Sequence, residues 1–342
     1  MRVDLKKRTN CLIIAEVSAN HNQDFGTAVR LIKKAKECGA DAVKFQAYTP
    51  ETMTLNIDNK YFRIKHPRWG GQTLFGLYKK AYTPWEWFKK LKKTADDIGI
   101  IFFATAFDMA SVDLLDSIGV PIHKIASFEL VDLGLIDYVA RTGKPLIMST
   151  GMATLAEIRE AVDVARKAGA KDITLLKCVS SYPAKAEEMN LRTIPVMEKI
   201  FKCPIGFSDH SLGMDVSIAA VSLGAKLIEK HFTLTRAVRS ADSFFSMEPE
   251  ELRELVKSVR IVEQSLGKVK FGLTDDEKNS IVFRRSLFAV EDIKKGEKFT
   301  LANIRAIRPA NGLKPKYLNI VLGRKAKKCI ARGTPLIKRD VL

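Results

Sequence analysis

The chain has 342 residues, of which 57 are Lys or Arg and 39 are Asp or Glu, so its formal net charge is +18. A hydrophobic fraction of 46% and a charged fraction of 28% are those of a globular protein, and they exclude fibrous, low-complexity and disordered classes. The longest apolar runs are shorter than the roughly 20 residues of a membrane-spanning helix. No signal-like segment follows the basic N-terminus, so we expect a cytoplasmic protein with no membrane partner.

Short apolar runs alternate with amphipathic helical patterns from residue 12 to about residue 266, which is typical of parallel βα units. Each run is continuously apolar, as a strand covered on both faces should be. The predicted strands are Leu12–Ser18, Ala42–Tyr48, Ile100–Ala106, Ile122–Ser127, Pro145–Thr150, Ile173–Ser180, Pro204–His210 and Leu227–Thr233. Eight units of this length favour a (β/α)8 TIM barrel over an open doubly wound sheet, because no glycine-rich dinucleotide turn follows the first strand.

Capping residues mark several helix boundaries. The segment Thr83–Glu86 predicts a helix that begins with a capping box and ends at Gly99. The segment Thr154–Glu157 predicts a second capping box. The long connection Pro50–Tyr82 is predicted to be a substrate-facing loop or lid.

A change of pattern after Gly267 predicts a second domain. We expect residues 1–267 to form the barrel, 268–283 a charged linker, and 284–342 a module broken by glycines and prolines. Within the module, residues 292–297 and 329–336 form a weak repeat of two β-turn-β pieces. A module this small is only marginally stable alone, so we expect it to dock on another surface.

The positive charge raises the alternative of a nucleic-acid-binding protein. The basic residues are scattered over predicted helix faces and the C-terminal stretch, with no basic arm and no RNP-like motif. We therefore expect no nucleic-acid partner, and a positive field that favours an anionic small substrate. The five cysteines are widely spaced and form no CxxC pair, which predicts buried free thiols rather than disulfides or a zinc site.

Polar side chains stand at the end of almost every predicted strand, where a barrel of this kind has its active site. Lys44 and Lys124 would enter one mouth together with several hydroxyls, which predicts a receptor for a phosphate or a phosphate plus a carboxylate. For either lysine alone, the structural alternative is a barrel salt bridge with Glu16 or Glu229, and the chemical alternative is a Schiff-base aldolase. Glu16 is also a candidate base.

Two of the five histidines, His210 and His231, end adjacent predicted strands, where neutral imidazoles could share one divalent ion. Water and substrate oxygens would complete the ligands, which suits Mn²⁺ or Mg²⁺ better than structural zinc. The alternative is a pair of hydrogen-bonded core histidines. His66 and His123 have no such context. His21, although near the mouth, is expected either to support the site residues from behind or to be structural.

Six motifs occur in order along the chain: Ile14–Asn22, Lys44–Gln46, Lys124–Glu129, Ser149–Met152, Gly206–His210 and Glu229–Thr233. Together they resemble the sialic acid synthase family. The resemblance extends to the C-terminus, where Arg308–Gly312 and its surroundings are similar to the antifreeze-like (SAF) domain of that family. Within the family, Ala19–Gln23, Gly71–Trp87 and Ser127–Leu130 most resemble the pseudaminic acid synthases.

The resemblance implies that phosphoenolpyruvate condenses with the aldehyde of 2,4-diacetamido-2,4,6-trideoxy-L-altrose to give a nine-carbon 2-keto acid and phosphate. It implies that phosphoenolpyruvate is bound by Lys44, Thr105, Lys124, Ser127, Ser149, Ser180 and Ser208. It also implies that the sugar is contacted by Gln46, Glu129, Tyr182, Asp242 and Arg308. His210 and His231 would hold the metal, Mn²⁺ with Mg²⁺ or Co²⁺ as alternatives, and Glu16 would assist the attack of water at C2.

In the same family the C-terminal domain covers the barrel of the partner subunit, so the resemblance implies a domain-swapped homodimer in which Arg308 acts in trans. Ala106 departs from the proline that relatives commonly carry there, which leaves the backbone beside Thr105 less restrained. The nearest alternative functions are N-acetylneuraminate synthase and legionaminate synthase. Remoter ones are a lysine-dependent aldolase and a non-enzymatic SAF-type adaptor for an acidic partner.

Overall fold

Eight parallel strands close into a barrel in the first of the two units of the chain, Met1–Gly267. A computed structural model describes residue 5, residues 8–65 and residues 69–341. The strands are β1 (Leu12–Glu16), β2 (Ala42–Ala47), β3 (Ile101–Ala106), β4 (His123–Ile125), β5 (Leu146–Ser149), β6 (Ile173–Cys178), β7 (Ile205–Asp209) and β8 (Leu227–His231). Each strand pairs with the next, and β8 pairs with β1, which confirms the (β/α)8 barrel.

All eight predicted strands are present, but most end earlier than predicted. Strand β1 ends at Glu16 rather than at Ser18, and β4 is limited to His123–Ile125. The residues after a strand can be as buried as the strand itself, since Ser18 is 3% exposed and Ser127 is 8% exposed. Residues at the barrel mouth are therefore still buried after the last ladder hydrogen bond, and for this reason the predicted strands are too long.

Helices alternate with the strands and turn their apolar faces to the barrel. In this unit they are α1 (Phe25–Glu37), α2 (Pro50–Met53), α3 (Leu74–Ala81), α4 (Phe88–Ile98), α5 (Met109–Ser117), α6 (Leu133–Arg141), α7 (Leu155–Lys167), α8 (Thr193–Phe201), α9 (Asp215–Ser222) and α10 (Pro249–Leu266). Short 3-10 helices lie at Ser18–His21, Trp85–Trp87, Ala186–Glu188 and Ser243–Phe245. Helices cover the outer face of each strand, and side chains of the other strands cover its inner face, which explains why the strands are apolar throughout.

One of the two predicted capping boxes is confirmed and the other is wrong. Thr154 and Glu157 exchange the expected bonds at the start of α7, and α4 ends at Gly99 with a φ of +71°. Helix α4, however, begins at Phe88, with no side-chain cap. Thr83 instead lies buried with its hydroxyl 3.0 Å from Nε2 of His21. A buried imidazole nitrogen needs a partner, and that tertiary need outweighs the local capping preference.

The predicted loop Pro50–Tyr82 contains α2 and α3 and an isolated antiparallel bridge between Arg63 and Thr73. Helix α2 begins with a capping box formed by Thr49 and Thr52. His66 lies outside the described residues. Trp69 donates from Nε1 to the carbonyl oxygen of Ala241, 2.8 Å away, so this connection is tied to the loop that follows β8.

The second unit, Lys268–Leu342, has its own small hydrophobic core, which includes Leu287, Phe299 and Ile330. Its elements are the antiparallel strands β9 (Ser286–Ala289) and β10 (Ile304–Ile307), 3-10 helices at Asp276–Phe283 and Pro315–Tyr317, and helices α11 (Leu318–Val321) and α12 (Lys338–Val341). The two halves of the weak repeat pair with each other, because Ile293 and Ile330 exchange backbone hydrogen bonds of 2.8 Å. The predicted linker 268–283 falls within this unit.

Four of the five cysteines are buried and form no disulfide, as predicted, namely Cys11, Cys38, Cys178 and Cys203. Cys329 is exposed, so the prediction is wrong there. It stands in the turn-rich end of the second unit, where a small core leaves much of the chain at the surface. Among the described residues, no helix is both long and apolar enough to cross a membrane.

Candidate active site

The carboxyl ends of the eight strands bring polar side chains from distant parts of the sequence into one mouth. Alternate residues of a strand share a face, so the inward set continues from strand to strand around a closed barrel. Residues of this set that are buried and polar are Glu16, Lys44, Thr105, Lys124, Ser149, Ser208, Glu229 and His231. Buried polar groups of this number need partners from each other or from a ligand.

Lys44 forms the salt bridge that was the structural alternative for this residue. Its Nζ lies 2.6 Å from Oε2 of Glu16 and 3.7 Å from Oε2 of Glu229, and it donates to Oγ1 of Thr105 at 2.9 Å. Burial lowers the pKa of Lys44, but the attraction of the two carboxylates outweighs burial and raises it. Lys44 is therefore a charged ammonium group.

Lys124 is buried without such a partner. Its Nζ donates to Oγ of Ser149 at 2.6 Å and to the carbonyl oxygen of Ile125 at 3.0 Å, and within the described residues it forms no ion pair. Burial accordingly lowers its pKa. A fully buried ammonium bonded only to neutral groups is costly, and an anion bound in the mouth would compensate that cost.

The two carboxylates beside Lys44 differ in their affinity for a proton. Burial raises the pKa of Glu16 to about 7, although Lys44 lowers it. Burial also acts on Glu229, but the attraction of Lys44 and Lys124 outweighs burial and lowers its pKa. A pair of neighbouring carboxyls whose pKa values are pushed apart is typical of acid–base sites. Glu229 also accepts from Oγ of Ser208 at 3.1 Å.

Hydroxyl and thiol groups converge on Gly151, which follows β5. Its backbone N–H donates to Oγ of Ser127 at 3.1 Å, and that oxygen lies 3.1 Å from Sγ of Cys178. A Cβ at Gly151 would lie 2.3 Å from Oγ of Ser180 and 2.9 Å from both Ser127 Oγ and Cys178 Sγ, so a larger residue there would displace these side chains. Within the described residues, Oγ of Ser180 has no hydrogen-bond partner. These donors form a cradle open to an acceptor-rich ligand.

The structure brings His210 and His231 together, with ring centroids 5.5 Å apart. Burial lowers the pKa of both, and His210 is held by a 2.8 Å bond between its Nδ1 and the carbonyl oxygen of Val179. That bond requires a proton on Nδ1, which leaves a lone pair on Nε2. Nδ1 of His231 is buried and has no hydrogen-bond partner among the described residues. Two neutral imidazoles with unused nitrogens fit a divalent ion better than two hydrogen-bonded core histidines.

Gln46, Asp242 and Tyr182 line the same mouth. Nε2 of Gln46 donates to Oε1 of Glu16 at 3.1 Å, and a carboxylate oxygen of Asp242 lies 3.9 Å from Nδ1 of His231. The ring of Tyr182 packs against His210 with centroids 4.4 Å apart. The ring of Trp69 packs against that of Tyr182 with centroids 5.8 Å apart and an interplanar angle of 52°.

The remaining predicted site residues differ in their surroundings. Burial raises the pKa of Glu129 to about 7, and its Oε2 has no hydrogen-bond partner within the described residues. Arg308 follows β10 in the second unit and is exposed there. His123 bonds to Asp116 through Nε2 at 2.8 Å, and His21 is fully buried, in agreement with structural roles for both.

Three residues of the mouth were missing from the predicted site: Ser18, Cys178 and Glu229. Glu229 alternates with His231 on β8, so the two-residue period of a strand was a signal for it. Cys178 ends β6, and the sequence predicted only that it is a buried thiol. Ser18 ends the first predicted strand, which was a signal for the mouth, but its partners lie 28 and 224 residues away in the sequence.

A cavity of about 520 Å³ adjoins Asp242 through its neighbours Ala241 and Ser243. Its lining also includes Trp69, Gln72, Lys80, Arg239 and Phe244. Aromatic and polar side chains therefore surround a space large enough for a small ligand, next to the mouth.

Comparisons with known proteins identify the family. The model of the NeuB family matches residues 31–271, and that of the SAF domain matches residues 284–342. The chain is 43% identical over 331 residues to a pseudaminic acid synthase of Helicobacter pylori, with 96% of this chain and 97% of that one covered. It is 39% identical over 321 residues to an N,N'-diacetyllegionaminic acid synthase of Campylobacter jejuni, with 93% and 96% covered.

Two solved structures agree with this match. The N-acetylneuraminic acid synthetase of Leptospira borgpetersenii is 36% identical with a TM-score of 0.71, and the alignment covers 80% of this chain and 90% of that one. The spore coat polysaccharide biosynthesis protein spsE of Bacillus subtilis is 35% identical with a TM-score of 0.66, and the alignment covers 97% and 95%. As its motifs predict, the chain belongs to the NeuB family.

Proposed function

We propose that this chain is a pseudaminic acid synthase. It would condense phosphoenolpyruvate with the aldehyde of 2,4-diacetamido-2,4,6-trideoxy-L-altrose, forming a bond between the methylene carbon of phosphoenolpyruvate and the aldehyde carbon. Water then adds at C2 and phosphate leaves, which gives a nine-carbon 2-keto acid. The observation that carries the proposal is that a buried Lys124, which forms no ion pair within the described residues, shares one barrel mouth of a NeuB-family chain with two neutral histidines.

The anion in this proposal is phosphoenolpyruvate. Lys124 and Lys44 supply the positive charge, and the hydroxyls of Thr105, Ser149 and Ser208 are already bonded to the charged groups around them. The hydroxyls of Ser127 and Ser180, which lie beside Gly151, supply further bonds to phosphate or carboxylate oxygens. Burial of the whole set strengthens each of these interactions relative to water.

We propose that His210 and His231 hold a divalent cation, Mn²⁺ with Mg²⁺ or Co²⁺ as alternatives. When bound, the cation would supply Lewis acidity toward the aldehyde oxygen. No group of three or more His, Cys, Asp or Glu residues is placed to hold a metal within the described part of the chain. Substrate and water oxygens would therefore supply the other ligands, which suits a catalytic site that must exchange substrates.

The carboxylates give the site its acid–base capacity. Glu16 lies between Lys44 and Gln46, at the border of the anion site and the sugar site, where it can accept the proton of the water that attacks C2. Glu229 stays charged beside the two lysines and would stabilise a cationic C2. Gln46, Glu129, Tyr182 and Asp242 would contact the sugar, with the adjoining cavity leaving room for its substituents.

Membership of the family does not by itself determine which amino sugar is the substrate. Three pseudaminic acid synthases are 41–43% identical to this chain, compared with 39% and 35% for two legionaminic acid synthases and 36% for human N-acetylneuraminate-9-phosphate synthase. Identity over almost the whole chain favours the pseudaminic precursor. The legionaminic and sialic precursors are the second candidates, because they need the same condensation.

The test is phosphate release from phosphoenolpyruvate by the purified protein with Mn²⁺. The 2,4-diacetamido-altrose derivative, the legionaminic precursor and N-acetylmannosamine are offered in parallel, each with and without EDTA. We expect release with the altrose derivative, loss of activity in EDTA, and recovery on adding Mn²⁺. Release with another sugar alone would reassign the substrate. EDTA-resistant cleavage trapped by borohydride would indicate the lysine-dependent aldolase instead.

We also propose a cytoplasmic, domain-swapped homodimer in which Arg308 completes the partner's sugar site. Arg308→Ala and Lys124→Met are each expected to abolish turnover as pure proteins. Mixed and refolded together, they form hybrid dimers in which one of the two sites carries neither change, so activity returns. If Arg308 acted on its own barrel, the mixture would not recover activity. If Arg308 had no role in turnover, Arg308→Ala would be active as a pure protein.

A further inference from the structure

Ser18 adopts a backbone conformation that favours glycine. Its φ is +45°, in the left-handed region, and its side chain is 3% exposed. A residue with a Cβ is uncommon at such an angle, because the Cβ approaches the backbone too closely. Strained positions of this kind persist where the surrounding structure fixes them, and they cluster at functional sites.

The hydroxyl of Ser18 joins three parts of the barrel mouth. It donates to Oδ2 of Asp242 at 2.5 Å and accepts from Nε2 of Gln46 at 2.8 Å. The backbone N–H of Ala19, the next residue, also bonds to the Asp242 carboxylate. The left-handed turn therefore presents a hydroxyl and an amide to the same carboxylate, and this links β1 to β2 and to the loop after β8.

These bonds decide which atoms the site offers to a ligand. Both amide hydrogens of Gln46 are used, one by Ser18 and one by Glu16, so Gln46 has only its carbonyl oxygen left for a ligand. Asp242 is an acceptor as a carboxylate. Two acceptors held side by side match a ligand that carries donors, such as the hydroxyl and acetamido N–H groups of an amino sugar.

We propose that Ser18 is a positioning residue of the sugar subsite, which fixes Gln46 and Asp242 as paired acceptors for the hydroxyl and N–H donors of the amino sugar. The inference rests on the proposed function. The inference adds Ser18 to the proposed sugar site as a residue that does not itself touch the reacting atoms. It predicts that Ser18 affects the KM for the sugar and not the KM for phosphoenolpyruvate.

The test compares Ser18→Gly with Ser18→Ala. Both variants lack the hydroxyl, but only alanine keeps a Cβ at positive φ. We expect Ser18→Gly to unfold at a higher urea concentration than Ser18→Ala. We expect the KM for the amino sugar to rise at least tenfold in both, with the KM for phosphoenolpyruvate within twofold of the wild-type value. Because glycine relieves strain, its effect on KM cannot be ascribed to a distorted turn.

Ser246→Ala is the matched control. Ser246 is a buried serine of the same loop that bonds to Asn20 and to the backbone oxygen of Asp242, but not to its carboxylate. We expect this variant to lose stability with an unchanged sugar KM. If the wild type is active, two results overturn the inference but not the proposed function. One is a sugar KM that Ser18→Gly leaves unchanged, and the other is a sugar KM that Ser246→Ala raises as much as Ser18→Gly does. A wild type that releases no phosphate with any amino sugar overturns the proposed function and the inference together.

Discussion

Protonation of His21 is expected to make the barrel less stable in mild acid. The imidazole is fully buried, with Nδ1 accepting from the backbone N–H of Gln23 at 3.0 Å and Nε2 facing Oγ1 of Thr83 at 3.0 Å. The Gln23 bond requires a lone pair on Nδ1, so a second proton would break it. Burial lowers the pKa of His21 from 6.5 to about 4. The group is therefore neutral in the folded state throughout the mildly acidic range.

The sign and size of the effect follow from that shift. Between pH 6.5 and about pH 4 the unfolded chain binds a proton at this residue and the folded chain does not. The stability is complete above pH 6.5 and is lost as the pH falls through this window. Linkage gives a loss of about 2 kcal/mol at pH 5 and about 3 kcal/mol at pH 4.

The assay is urea unfolding followed by tryptophan fluorescence at a series of pH values. All three tryptophans lie in the barrel unit, and the ring of Trp87 is 5.7 Å from His21, so the signal reports on the correct unit. His21→Gln removes the titrating group and keeps a donor for Thr83. The free energy of unfolding of the wild type should fall by about 2 kcal/mol more than that of the variant between pH 7.5 and pH 5.

His123→Gln is the control for this experiment. Burial also lowers the pKa of His123, but its bond to Asp116 opposes the shift, so this substitution should change the pH profile less. Profiles of wild type and His21→Gln that stay parallel within about 0.5 kcal/mol would refute the reasoning, because they would show that burial does not oppose protonation of His21.

Three further predictions concern the buried charges and the cradle. Lys230→Met should lower the free energy of unfolding by about 3–5 kcal/mol in urea titrations, because it leaves a buried carboxylate unpaired. Lys93→Met removes an exposed ion pair and should lower the free energy of unfolding by less than about 1 kcal/mol. Equal losses for Lys93→Met and Lys230→Met would contradict the burial argument. Gly151→Ala should raise the KM for phosphoenolpyruvate about tenfold or more, since its Cβ would meet Oγ of Ser180 at 2.3 Å, and an unchanged KM would remove this cradle from the site. Lys124→Met should abolish phosphate release while raising the free energy of unfolding by about 1 kcal/mol or more, and a destabilised variant would show that this lysine serves the fold.

Much of the fold could be predicted from the sequence because its signals are local. Eight apolar runs separated by amphipathic helices specify parallel βα units, and their number specifies closure. The same argument located the mouth, because the ends of parallel strands lie together wherever the barrel closes. Lys44, Lys124, His210 and His231 were therefore predictable as neighbours, although they are spread over 188 positions of the sequence.

The sequence alone determined the barrel, the position of its mouth, and the residue types that meet there. The tertiary structure decided the pairings. Thr83 bonds to His21 rather than capping α4, and Ser18 takes a strained angle to reach Asp242, 224 residues away. Strand and helix patterns depend on which face is buried, which is a local property. The bond between Ser18 and Asp242 depends on the register at which β8 closes against β1, and only the folded barrel sets that register.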